Sequence, residues 1–133
     1  MIGLDTNVVV RYFTHDDPGQ TRAALKVMDS LSPANPGFIS LVVLAELVWV
    51  LDSFFCTTRS EIVQTLETLL ASKELVIEQA ETAWQALGKF KESNCEYADC
   101  LIEGCGNSAG CDYTVTFDQR AAKATGMKLL GRN

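Results

Sequence analysis

Four carboxylates stand where the pattern of this chain would put chemistry: Asp5, Glu46, Asp99 and Asp118. Asp5 ends the short apolar run Met1-Ile2-Gly3-Leu4. Asp118 ends the β-branched and aromatic run Tyr113-Thr114-Val115-Thr116-Phe117. A helix-forming segment follows each at once, so both acids fall at the carboxyl end of a strand, where α/β proteins open their ligand crevices. Glu46 lies inside Leu41–Leu51, a stretch apolar on nearly every side that reads as a buried helix. An ionised Glu there is costly unless it is paired or bound to a metal. Its competing role is a place on a narrow solvent stripe with Asp52 or Ser53. Asp99 falls near the N-terminal turn of a helical segment, Cys95–Ile102, where the helix dipole alone would favour a carboxylate.

Brought together, four carboxylates repel one another unless a counter-charge intervenes. Hard divalent cations take oxygen ligands, and Mg2+ keeps several waters while using carboxylates and substrate phosphates. Such a site orients or activates water and stabilises charge on a leaving oxygen, with one ion or with two. Thr6, Asn7 and Thr116 are placed to hydrogen-bond the ligands. Arg11, Arg120 and Lys123 are placed to contact phosphates, and Glu103, one turn after Asp99, to assist.

Strands and helices alternate along the whole chain. Strands are expected at Ile2–Asp5, Phe38–Ser40, Leu75–Ile77, Tyr113–Phe117 and Lys128–Leu130. Helices are expected after Asp5, over Pro18–Leu31, over Leu41–Leu51, from Thr58 to Ser72, over Ala80–Ser93, around Asp99 and over Asp118–Thr125. Thr58-x-x-Glu61 is a capping box. The alternation predicts an α/β domain, residues 1–133, with a mostly parallel central sheet and helices on both faces, a three-layer α/β/α sandwich. Right-handed crossovers put the strand carboxyl ends on one edge, so the four acids are expected to surround one cleft. Gly104-Cys105-Gly106-Asn107-Ser108-Ala109-Gly110 matches a dinucleotide-binding expression, but a helix precedes it and a strand follows, so it reads as a loop. Trp49 and Trp84 read as core; exposure of either would point to a partner surface.

The net charge of −6 argues against a surface that coats nucleic acid generally, yet leaves room for an acidic site that meets phosphate through metal ions. No apolar run of bilayer-spanning length is free of charge, and the N-terminus lacks the pattern of a signal peptide, so a cytoplasmic protein without a membrane partner is expected. The five cysteines contain no Cys-x-x-Cys pair and read as small buried thiols in a reducing compartment. The single histidine, His15, sits in a turn, which leaves no Ser–His–Asp or Cys–His chemistry. No phosphate-binding Gly-x-x-x-x-Gly-Lys loop occurs. A dehalogenase-type phosphatase would need an Asp where Asn7 stands, and a receiver domain would need an adjacent acidic pair and a lysine elsewhere than Lys128.

Leu4-Asp5-Thr6-Asn7-Val8, the helix carrying Glu46, Tyr97-Ala98-Asp99 and Thr116-Phe117-Asp118 together resemble the ordered motifs of PIN-domain ribonucleases. The short chain and its Asp-Thr-Asn start look especially like the VapC-type toxins of bacterial toxin–antitoxin pairs. The resemblance covers nearly the whole chain. It implies a PIN-like fold, Mg2+- or Mn2+-dependent endoribonuclease activity, an RNA substrate, a homodimer and a cognate antitoxin. It also implies that Asp5, Glu46, Asp99 and Asp118 are the catalytic and metal-binding acids, supported by Thr6, Asn7 and Thr116. The Cys- and Gly-rich stretch after Asp99 departs from the Ala-rich helix more usual in that family. A catalytically silent PIN-like scaffold that binds RNA or protein is the alternative.

Overall fold

The computed structural model describes residues 1–131, which fall into two compact units, Met1–Ala80 and from Glu81 onward. The first unit holds strands β1 (Ile2–Gly3), β2 (Gly37–Ile39) and β3 (Leu75–Ile77), with helices α1 (Thr6–Thr14), α2 (Pro18–Asp29), α3 (Leu41–Phe55) and α4 (Arg59–Ala71). The strands form a parallel sheet in the order β1-β2-β3, with Ile2 opposite Gly37 and Phe38 opposite Val76. A pair of helices makes each crossover, α1 and α2 between β1 and β2, and α3 and α4 between β2 and β3. Parallel neighbours require crossovers of this length.

Local chemistry sets the element ends. Asp5, Asp17, Ser40 and Thr58 each accept a backbone N–H at the start of α1, α2, α3 and α4. Thr58 and Glu61 form the expected capping box. Val9, Val10, Ile39, Leu44, Leu47 and Leu66 are fully buried, and α1 packs on α2 and α3. Tertiary packing thus holds the Val-rich α1, whose intrinsic helix propensity is poor. Gly37 is in β2 because space is short: a Cβ there would lie 2.9 Å from Leu31, 3.0 Å from Leu4 and 3.1 Å from Leu75.

The helix α3 corrects one expectation. It is buried on one side only, through Val43, Leu44, Leu47, Val48 and Leu51. Its other side is open, with Val42 71%, Trp49 56% and Phe54 67% exposed. Glu46, Asp52 and Ser53 share that open side. Trp49 and Phe54 meet edge to face at 5.3 Å. Apolar residues on the solvent side disguised the amphipathic pattern, so Glu46 is not desolvated as the sequence suggested.

The second unit holds α5 (Ala80–Glu92, all but its first residue), α6 (Tyr97–Ser108), β4 (Val115–Thr116), α7 (Gln119–Thr125) and β5 (Lys128–Leu129). β4 and β5 pair in parallel, and α7 packs on both and on α6. All ladders among the described residues are parallel, shared between two sheets. The buried side chains include Ala83, Leu87, Phe90, Tyr97, Cys100 and Leu101. Trp84 is 41% exposed, so it is not core.

The Gly104–Gly110 stretch is not a loop: α6 continues through it to Ser108. The glycines supply clearance, since a Cβ on Gly104 would lie 3.0 Å from Thr82 and one on Gly106 2.5 Å from Thr114. The Thr82 and Ser108 hydroxyls, 2.9 Å apart, tie α5 to the end of α6. Of the cysteines, Cys95 and Cys100 are buried with sulfurs 3.2 Å apart, Cys105 is half-buried, and Cys56 and Cys111 are exposed. The buried-thiol reading therefore holds for only part of the set. Burial, followed by the neighbouring Cys95, pushes the Cys100 thiol up to about 12. No helix among the described residues is long and apolar enough to cross a membrane.

Candidate functional site: two acidic pairs

Asp5 and Glu46 are joined through Thr6. Asp5 follows β1, takes extended backbone angles and accepts the Thr6 N–H at 2.8 Å. The hydroxyl of the buried Thr6 donates to Glu46 Oε1 at 2.5 Å. One residue thus touches both acids, one through its backbone and one through its side chain. Both carboxylates are exposed to solvent. Asn7, also exposed, lines a hollow of about 300 Å³ with Val8, Arg11, Gln20, Ala23 and Val27. Arg11 is engaged elsewhere: its Nε donates to Gln20 at 2.7 Å, and it pairs with Asp16 at 3.3 Å. Contact with a phosphate would require Arg11 to leave these partners.

Asp99 and Asp118 line one open, polar hollow of about 590 Å³ with Glu96, Phe117, Gln119 and Arg120. Asp99 is in the first turn of α6, whose start is fixed by Tyr97. The buried Tyr97 donates its hydroxyl to the Ala83 carbonyl at 3.0 Å and sets its ring edge to face against Phe90. Burial raises the Tyr97 hydroxyl pKa above its ordinary value. Asp118 caps α7, its Oδ1 accepting from the Arg120 and Ala121 N–H groups at 2.8 and 3.1 Å. Thr116 supports the backbone here, its hydroxyl oxygen accepting the Asp118 N–H at 3.0 Å. Burial first, and the Asp118 charge second, raise the Asp99 carboxyl above its ordinary pKa, against a backbone hydrogen bond at Glu96 that lowers it. Two like charges therefore act on each other across this hollow.

Arg120 and Lys123 line a neighbouring hollow along α7. Glu103, expected to assist Asp99, is instead tied to Lys89 by an ion pair. Sequence reasoning passed over Glu96, Gln119 and Phe117. Phe117 was legible from strand alternation, which sets it opposite in face to Thr116. It is 72% exposed beside the acids. Among the described residues, no three or more His, Cys, Asp or Glu side chains gather as a metal-holding group. The acids come as two pairs, each within its own unit.

No curated protein matches the chain. A model of the PIN domain family matches residues 2–127. Seven helices and parallel strands among the described residues, with this match, fit a three-layer α/β/α PIN-like fold. PIN domains are typically nucleases and bind RNA, which supports a nuclease-like role here. With nearly its whole length matched, carrying strand-end Asp5 and Asp118 and helix-borne Glu46 and Asp99, the chain belongs to the PIN domain family.

Proposed function

We propose that the protein is a metal-dependent endoribonuclease, with Asp5, Glu46, Asp99 and Asp118 as its acidic ligands and Mg2+ or Mn2+ as its ion. The observation that carries this reading is the Asp99–Asp118 pair, two carboxylates in one open hollow with the charge of one felt at the other. A hard divalent cation is the counter-charge such a pair fits, being satisfied by carboxylate oxygens, water and substrate phosphate. Bound there, the ion would supply Lewis acidity and an activated water. The chain's own residues do the rest. Asp118 is held in place by two backbone N–H groups of α7, and Asp99 by the anchorage of α6 at Tyr97. Thr6 orients Glu46 and, through its N–H, Asp5. Ligands held in this way lose little orientational freedom when the ion and the RNA phosphate arrive.

The finer reading is a VapC-type toxin, acting in the cytoplasm as a homodimer and restrained by a cognate antitoxin. It rests on the motif Leu4-Asp5-Thr6-Asn7, in which Asp5 follows β1 and Thr6 opens α1. The open side of α3, with Trp49 and Phe54, supports a protein partner of some kind.

The test is cleavage of RNA by the purified protein and by Asp99→Asn, with and without Mn2+. Metal-dependent cleavage lost in the variant is the expected result. Cleavage that persists in chelator would overturn the proposal. A second reading, a silent PIN-like module that binds RNA or protein, is favoured by the open apolar side of α3 with Val42, Trp49 and Phe54. A parent protein that takes up no Mn2+ in a titration would establish it over the nuclease.

A further inference from the structure

An acidic site in an acidic chain has an electrostatic problem with RNA. The chain carries a net charge of −6, and Asp99, Asp118 and Glu96 line one hollow. A phosphodiester strand is repelled by such a surface unless cations nearby hold its other phosphates. Such a place lies beside the acids. A hollow of about 410 Å³ lies between the end of α5 and α7, lined by Lys89, Glu92, Ser93, Asn94, Arg120 and Lys123. Three of those side chains are cations and one is an acid, the reverse of the chain's overall balance.

These cations are not equivalent. Lys89 is already held by Glu103 and by the Thr125 carbonyl. Arg120 and Lys123 are exposed and have no ion-pair partner among the described residues. They are three residues apart on α7, hence on one face and about 4.5 Å apart along the axis. Arg120 also lines the acidic hollow, two residues after Asp118, so the two hollows share a wall. The guanidinium offers a planar fork matched to phosphate oxygens, and the lysine a mobile point charge.

We propose that this hollow is a phosphate subsite for single-stranded RNA, in which Arg120 and Lys123 each hold one of the phosphates that adjoin the one presented to Asp99 and Asp118. Lys89, fixed by Glu103, forms its wall, and Asn94 sits exposed at its rim. The subsite rests on the nuclease reading for its substrate, but it can be tested without cleavage. It also assigns the two cations a common role that sets them apart from Arg11, which is occupied by Gln20 and Asp16.

The experiment measures binding of a short single-stranded oligoribonucleotide in EDTA over a range of salt concentrations. The proteins compared are the parent, Arg120→Gln, Lys123→Gln and, as a control, Lys26→Gln on the exposed side of α2. Each phosphate contact to a single strand contributes about 0.7 to the slope of log K against log salt. Arg120→Gln and Lys123→Gln should each lower the slope by about that amount, and Lys26→Gln should leave it unchanged. Unchanged slopes in both variants would overturn the subsite, as would no measurable RNA binding by the parent at low salt. So would a fall confined to Arg120→Gln, which would place that arginine in the acidic hollow alone. Because chelator removes the nuclease chemistry, lowered slopes without any Mn2+-dependent cleavage would keep the subsite and reject the nuclease.

Discussion

The two acidic pairs are built by opposite means. In the first unit, a neutral hydroxyl stands between the acids: Thr6 donates to Glu46 and presents its N–H to Asp5. In the second, each acid takes its own backbone N–H donors, no group is shared between them, and the Asp118 charge is felt at a half-buried Asp99. A bridged pair is oriented before any cation arrives. A pair with no shared donor gains more from the cation itself, because part of the binding energy comes from ending a repulsion. Similar carboxylates can therefore contribute to a metal site through geometry in one place and through charge in another.

The comparison is broken most decisively at the second pair. Asp118→Asn keeps an N-cap for α7, since Asn caps as well as Asp, and removes one of the two charges. Metal-dependent RNA cleavage should fall by about a thousandfold, the equivalent of several kcal/mol, with the unfolding midpoint little changed. A variant that cuts at the parental rate would remove Asp118 from the chemistry. At the first pair the effect should be smaller. Thr6→Val keeps the shape and loses the hydroxyl, so cleavage should fall about 10–100-fold, and Thr6→Ser should restore most of it. A thousandfold loss in Thr6→Val, or no rescue by Ser, would erase the distinction between the two pairs.

Two finer measurements sharpen it. In chelator, Asp118→Asn should lower the Asp99 pKa toward its ordinary value by removing the second of its causes. Burial, the first cause, stays, so the pKa should remain raised. A carboxyl-carbon NMR titration reads this directly, and an Asp99 titration identical in both proteins would show that the charges do not interact. The sign also fixes a pH effect. A carboxyl raised above its unfolded value costs stability where it is ionised, and that cost is relieved as pH falls through the folded pKa. The smallest effect is expected at Tyr97→Phe, which removes the hydroxyl that reaches Ala83. It should cost about 1–3 kcal/mol in urea unfolding and leave the first pair untouched. A neutral outcome would mean that α6 is held by ring packing alone.

Much of this architecture was legible in the sequence, and the reasons differ by residue. Asp5 and Asp118 could be placed because a strand, an acid and a helix follow one another in a few residues, a local pattern. Thr58 and Glu61 were readable for the same reason. Glu46 was singled out on a mistaken argument: the open side of α3 carries Val42 and Trp49, so its apolar character looked like burial. The Gly104–Ser108 turns of α6 were missed because glycine punctuates loops in local reasoning. Here it makes room for Thr82 and Thr114, neighbours that only tertiary structure reveals. The engagement of Arg11 by Gln20 and of Glu103 by Lys89 is likewise set by packing, beyond any spacing rule.

Asp5 and Asp118 are also the residues that start α1 and α7. That double duty bears on how a lineage can change. A descendant that lost the proposed nuclease chemistry would still be under pressure to keep a capping side chain, Asp, Asn, Ser or Thr, at both positions, merely to begin two helices. Glu46 carries no such obligation, since it rides in the middle of α3, which Ser40 caps, whereas Asp99 bonds the backbone of Glu96 at the start of α6. Loss of the proposed chemistry in relatives of this chain should therefore first be visible at Glu46, with capping residues persisting at the positions of Asp5 and Asp118.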